Sequence, residues 1–390
     1  MIDQNILTLL DAPAKEERLE NLKKVLETAV FPPMVPQYIN NHIHTTYSFS
    51  PYSPAAAVFA ARMEGLCTAG IVDHDSIAGA EEFIEAGRLV GIPTTVGMEC
   101  RVSMAGTSMA GRRTNNPDQV GCSYMTLQGV PHDQIKYLNG WFAPYRSARN
   151  LRNRAMVRKI DGLLPGIGLD FDRDVLPLSQ YADGGSVTER HLMYALAKKM
   201  IALAGRGQSM VGYLGSIGLT LSKKQTEQML DTAYPFYEYD LLGILKSAFV
   251  PKIYIDAEDE CPNIRDAVAL AKKVGAVLCY AYLGDVGESV TGDKKAQKFE
   301  DDYLDEVFAC LKDCGVKAVT YMPTRNTRAQ LERLRRLCDE NGIFQVSGED
   351  INSPRQSFVI RAMEDPMFQN LIDATWKLID HETGRKKLVL

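Results

Sequence analysis

The segment Asn41-His42-Ile43-His44-Thr45-Thr46-Tyr47-Ser48 closes a strand-like apolar run with two histidines one residue apart. Alternate residues of a strand share a face, so His42 and His44 project to the same side and can offer two imidazoles to one metal ion. Two further strand-like runs end on polar residues, Gly70-Ile71-Val72-Asp73-His74-Asp75 and Gly97-Met98-Glu99. Much later, Phe344-Gln345-Val346 leads into Ser347-Gly348-Glu349-Asp350. His, Glu and Asp delivered at four separate strand ends would converge at the mouth of an α/β barrel, where the loops after the strands build the active site. An open sheet would scatter them.

Around these runs the pattern alternates. Helical spacing over 54–65 and 77–90 separates the first three strands, and helices over 263–274, 301–314 and 327–340 separate strands at 276–280, 318–321 and 344–346. Strands alternating with helices of this length predict crossover units and a parallel sheet. Residues 107–120 read as a loop and 124–127 as a short strand, while 132–160 and 188–248 read as mainly helical. The chain thus divides into an N-terminal helical extension over 1–36, a barrel over 37–360 interrupted by a helical insertion at about 131–250, and a C-terminal helix and tail over 361–390.

Composition narrows the class. With 390 residues, 45% of them hydrophobic, the chain can bury a full-sized core. Its net charge of −5, without long basic runs, gives no electrostatic reason to expect nucleic acid or an anionic membrane as partner. The N-terminus lacks the basic and apolar blocks of a secretory signal and no apolar run reaches spanning length, so the cytoplasm is the expected compartment. Eight cysteines at irregular spacings, with no C-x-x-C, suit reduced buried thiols.

The motifs together resemble the PHP (polymerase and histidinol phosphatase) superfamily of metal-dependent phosphoesterases. His42-Ile43-His44-Thr45-Thr46-Tyr47-Ser48 with Ser53-Pro54 is similar to its first motif, Gly70 to Ser76 to its second, Gly97-Met98-Glu99 to its third, and Ser347 to Asn352 to its last. The resemblance implies a distorted (β/α)7 barrel with metals at its mouth. By position, His42, His44, Glu99 and Asp350 would hold the first metal, Glu99 would bridge to a second, and His74 would be a ligand of the third. Asp73 and His74 are the candidate catalytic pair. Imidazole and carboxylate together suit Zn, Mn or Fe, and one or two such ions are expected.

The chain also departs from that pattern. Phe49 stands where the family has Asp, and Asn352 ends the last motif in place of His, which depletes the third metal site. Tyr280-Ala281 replaces a His-Pro, and Tyr124 lies near another usual histidine, which depletes the second. His191, in Thr188-Glu189-Arg190-His191, resembles a family segment with a histidine before a helix, although Glu189 replaces an arginine there; it is a further candidate ligand. Arg325 and Arg355 follow predicted strand ends and are candidate anion binders. His132 and His381 read as structural, as do Met98, Met104, Met109, Cys310 and Cys314.

The expected function is hydrolysis of a small phosphorylated metabolite or nucleotide by a metal-activated water. The alternative is a degenerate barrel serving as a non-catalytic metal- or ligand-binding module, motivated by Phe49, Tyr280 and Asn352. Hydrolysis of a C–N or other ester bond at the same centre also stays open.

Overall fold

A computed structural model of the chain describes residues 3–286 and 297–390. Two helices, α1 (Gln4–Leu10) and α2 (Lys15–Leu26), precede strand β1 (Val35–Ile43). Then come α3 (Pro54–Met63), β2 (Leu66–His74), α4 (Ala80–Val90), β3 (Thr94–Ser103) and β4 (Cys122–Gln128). Five helices follow: α5 (Ile135–Leu163), α6 (Glu189–Ala204), α7 (Gln208–Ser216), α8 (Lys223–Leu230) and α9 (Tyr237–Ile253). Alternation resumes with α10 (Ile264–Val274), β5 (Val277–Ala281), α11 (Leu304–Cys314), β6 (Ala318–Tyr321), α12 (Arg328–Asn341) and β7 (Phe344–Ser347), and α13 (Gln369–Glu382) ends the chain.

The seven strands form one curled sheet in the order β1 to β7. All neighbours pair parallel except β4, which is antiparallel to both β3 and β5. This corrects the all-parallel expectation. A parallel return needs a crossover, usually a helix, and the 104–121 connection contains none, so β4 comes straight back beside β3. The curl brings β1 to the segment after β7: the His44 N–H donates to the Ile351 carbonyl (2.9 Å) and the Ile351 N–H to the His42 carbonyl (3.1 Å). That bridge ties the two histidines to the residue beside Asp350.

Two motif glycines are there for close approach. A Cβ on Gly70 would lie 2.7 Å from the Asn41 Cα, and one on Gly97 would lie 2.5 Å from the Leu127 carbonyl. Any side chain at either position would force neighbouring strands apart.

Helix α3 begins on a Ser53 cap with Pro54 in its first turn, and α4 ends on Gly91 in the left-handed region. These helices, with α10 to α12, cover the sheet in one apolar core. The N-terminal pair is pinned by Arg18, whose guanidinium forks onto the buried Glu82 carboxylate of α4 at 2.9 and 2.6 Å. Helices α5, α6, α7 and α9 share a second apolar core built on Met156, Leu192, Leu214 and Leu241, and Phe49 is packed into it.

Candidate metal centre

His42 and His44 flank Ile43, the last residue of β1, His74 closes β2, and Glu99 lies on β3 in register with His74. The Nε2 atoms of His42 and His44 are 3.2 Å apart, and Asp350 Oδ1 is 3.2 Å from His44 Nε2. Glu99 Oε2 is 3.0 Å from His74 Nδ1, 3.8 Å from His42 Nε2 and 4.0 Å from His44 Nε2. The donor atoms therefore form two triads that share His44: His42, His44 and Asp350, and His44, His74 and Glu99.

The donor set fits a divalent ion. Metal–ligand bonds of about 2.0–2.2 Å leave neighbouring ligand atoms roughly 3.0–3.5 Å apart, the spacing of His44 Nε2 from both His42 Nε2 and Asp350 Oδ1. The two leading histidines differ in protonation: burial opposes charge on His44, but Asp350 and Glu99 outweigh it and hold His44 above its ordinary value. Burial pushes His42 below its ordinary value. Burial opposes charge on Glu99 too, but His74, His42 and His44 outweigh it, and the same imidazoles hold Asp350 far below the carboxylate range. A neutral imidazole beside ionised carboxylates is the state that binds metal.

Behind the donors lies a fixed frame. His44 Nδ1 is 3.1 Å from Ser48 Oγ, and Ser48 Oγ donates to Asp73 Oδ1 at 2.6 Å. Asp73 also accepts the Thr45 N–H (2.7 Å) and the Thr45 hydroxyl (2.6 Å). Its carboxylate is fully buried and occupied by three donors, so Asp73 sits behind His44 rather than facing a substrate. Asn352 Nδ2 donates to Asp350 Oδ1 at 2.8 Å, holding that ligand from the position where the family pattern has histidine.

A cavity of about 180 Å³ opens over the centre, lined by His42, His74, Glu99 and Asp350 with Arg190 and Lys246. Those two cations were missed by the sequence reading. Arg190 adjoins the quoted His191 and was within reach of it; Lys246 lies inside α9 and carries no local signal.

Five of the six expected ligands thus come together, and His191 does not join either triad. Its Nδ1 accepts the Thr188 N–H at 3.0 Å, closing a capping box at the start of α6. That bond places the proton of the neutral ring on Nε2, which leaves no lone pair there for a metal. Burial, reinforced by Arg149 and Arg190, pushes His191 down to about 3.

The anion-binding expectations shift likewise. Arg355 forks onto Asp240 at 2.8 and 2.6 Å and lies over the Tyr234 ring, and it does not line the cavity. Arg325 donates Nε to the Leu283 carbonyl (3.0 Å) and also lies outside the cavity lining. Tyr124 does line it, but burial raises its phenol well above the ordinary value, and Tyr280 is raised in the same way. His132 is part-exposed near Glu382, and His381 bonds the Gly275 carbonyl at 2.6 Å.

No known family profile matches the chain. Over 96 residues it is 33% identical to the error-prone DNA polymerases of Mycobacterium bovis and Mycobacterium tuberculosis, a match covering 24% of this chain and only 8% of theirs. Among solved structures it is similar to a Bifidobacterium adolescentis protein provisionally described as a metal-dependent phosphoesterase, with TM-score 0.53, 19% identity, and coverage of 87% of this chain and 98% of that one. It is also similar to an amidohydrolase from Chromobacterium violaceum, determined with sulfate and no metal, at TM-score 0.51, 15% identity, and coverage of 82% and 89%. The fold of this chain is that of these hydrolases.

Proposed function

We propose that the chain is a PHP-type metal-dependent hydrolase that cleaves a phosphate ester of a small metabolite or nucleotide. The observation that carries this is the pair of buried donor triads sharing His44, beneath a cavity whose lining adds Arg190 and Lys246. His42, His44 and Asp350 would hold the principal ion, with Glu99 and His74 able to hold a second. A divalent ion bound there supplies a Lewis acid for the phosphoryl oxygens and lowers the pKa of water.

The chain's own residues do the rest. Arg190 and Lys246 orient the anionic oxygens of the substrate at the cavity wall. His74, at 23% the most exposed of the three imidazoles, has Glu99 on Nδ1 and keeps Nε2 as the atom through which a proton can pass to the leaving oxygen when the ring is not a ligand. Asp73 acts through Ser48 on His44 and is a positioning residue. The small cavity and the acidic chain favour a small phosphorylated substrate in the cytoplasm over nucleic acid or a membrane surface.

The test is phosphate release from a panel of phosphomonoesters with Mn or Zn added, comparing the wild type with His42→Ala. Release by the wild type that falls at least 100-fold in the variant supports the proposal. Equal rates in the two proteins overturn it.

A further inference from the structure

A second cavity, of about 440 Å³, shares no lining residue with the one over the metal centre. Its walls come from three places: α1 and the residues after it, the loop after β1, and the helical insertion. Three rings make a continuous aromatic wall. Phe49 is 5.4 Å from both Tyr194 and Tyr239, and those two are 5.3 Å from each other, centroid to centroid.

Phe49 is held at φ +103°, a region that a bulky side chain rarely enters and that costs of order 1–3 kcal/mol. The fold accepts that cost where the ring both packs the insertion core and faces this cavity.

The lining also carries the polar side chains Gln4, Thr8, Asp11, Thr46, Ser50 and His191. The His191 ring lines the cavity edge-to-face with Phe49 (4.8 Å between centroids), and with Nδ1 already bonded to Thr188 its remaining polar group is the Nε2–H donor. Asp11 accepts the Ser53 N–H at 2.7 Å through one oxygen, and burial raises its carboxyl to about 6. Thr46 Oγ1 is buried with no hydrogen-bond partner among the described residues. An aromatic wall beside hydrogen-bonding side chains can take a ring on its face and fix its orientation at its polar edge.

We propose that this cavity binds a small uncharged planar heteroaromatic molecule, its ring against Phe49, Tyr194 and Tyr239, an acceptor atom on His191 Nε2–H and a donor on Asp11. An aromatic wall beside a carboxyl could also suit an organic cation. The Arg190 guanidinium, 5.4 Å from the Phe49 ring centre, already places positive charge against that wall, which favours the neutral class. Because the two cavities share no lining, the site stands whether or not the metal centre is catalytic.

The experiment is calorimetric titration of the full chain with adenine, cytosine and nicotinamide as neutral probes and choline as the cationic one. At least one neutral probe is expected to bind with Kd below about 1 mM, an affinity within reach of a fragment-sized ligand. Binding should weaken at least tenfold in both Tyr239→Ala and Asp11→Asn, the second a near-isosteric change that guards against misfolding of the first. Absence of binding by all three neutral probes, tighter binding of choline, or undiminished affinity in Asp11→Asn would each overturn the proposal.

Discussion

Ser48 is the residue through which the buried Asp73 carboxylate steers a candidate metal ligand, since its hydroxyl lies between His44 Nδ1 and Asp73 Oδ1. Partners of this kind fix the tautomer and aim of a ligating histidine, and their loss typically weakens metal binding about 10–100-fold. Ser48→Ala is therefore expected to lower Zn or Mn affinity by that factor in a chelator-competition titration, and unchanged affinity would show that His44 is held by other means. Arg355 gives the opposite expectation. With its fork on Asp240, Arg355→Ala should leave KM within about twofold while lowering the melting temperature, because a mostly buried carboxylate loses its partner. At this scale His42, His44, His74, Glu99 and Asp350 were legible because each ends a strand-like run. Arg190 and Lys246 were not, since their place at the cavity depends on how helices far away in sequence fold over it.

Between the barrel and the insertion runs a chain of alternating charge. Asp75 meets Arg149 (2.5 Å), Arg149 meets Glu189 (2.7 Å), Glu189 meets Arg152, Arg152 meets Glu260 (2.6 Å), and Glu260 meets Arg101. Six charges cancel, and α5, α6 and the segment before α10 are locked to the ends of β2 and β3. Glu189, which stands where the resembled segment has arginine, is explained here: three arginines face it and hold its carboxylate well below the ordinary range despite burial. Glu189→Gln leaves Arg149 and Arg152 under-compensated and is expected to cost about 3 kcal/mol, read as a lower urea midpoint; an unchanged midpoint would remove the network from the stability account. The helices and most strands of the barrel were readable from periodicity. The direction of β4 was not, because strand direction depends on the connection, and the long polar stretch over 104–121 does not announce its path.

Across the whole molecule, closure of the sheet matters more than any single element. The hydrogen bonds between Ile351 and the backbone of His42 and His44 join the first motif to the last, although they are some 300 residues apart in sequence, which is why Asp350 can reach His44. No pattern within either motif alone encodes that meeting; it was legible only from the set of strand ends read together and from the resemblance of the ordered motifs. A global pH dependence follows from Glu300, which is fully buried, accepts the Leu283 and Gly284 N–H groups, and is raised by burial to about 7. A carboxyl whose folded value lies above its unfolded value of 4.5 favours the fold below that pH and loses the contribution as pH rises towards 7. The displacement from 4.5 to about 7 corresponds to on the order of 3 kcal/mol. Glu300→Gln should flatten the fall in melting temperature between pH 5 and pH 8, and parallel curves for the two proteins would assign that slope elsewhere.

The most direct measurement is an anomalous difference map from crystals of the full chain soaked in zinc. A peak enclosed by His42 Nε2, His44 Nε2 and Asp350 Oδ1, and absent from His42→Ala crystals, is the predicted result. No peak between those three atoms, with both imidazoles still in place, would contradict the metal centre and the hydrolase built on it.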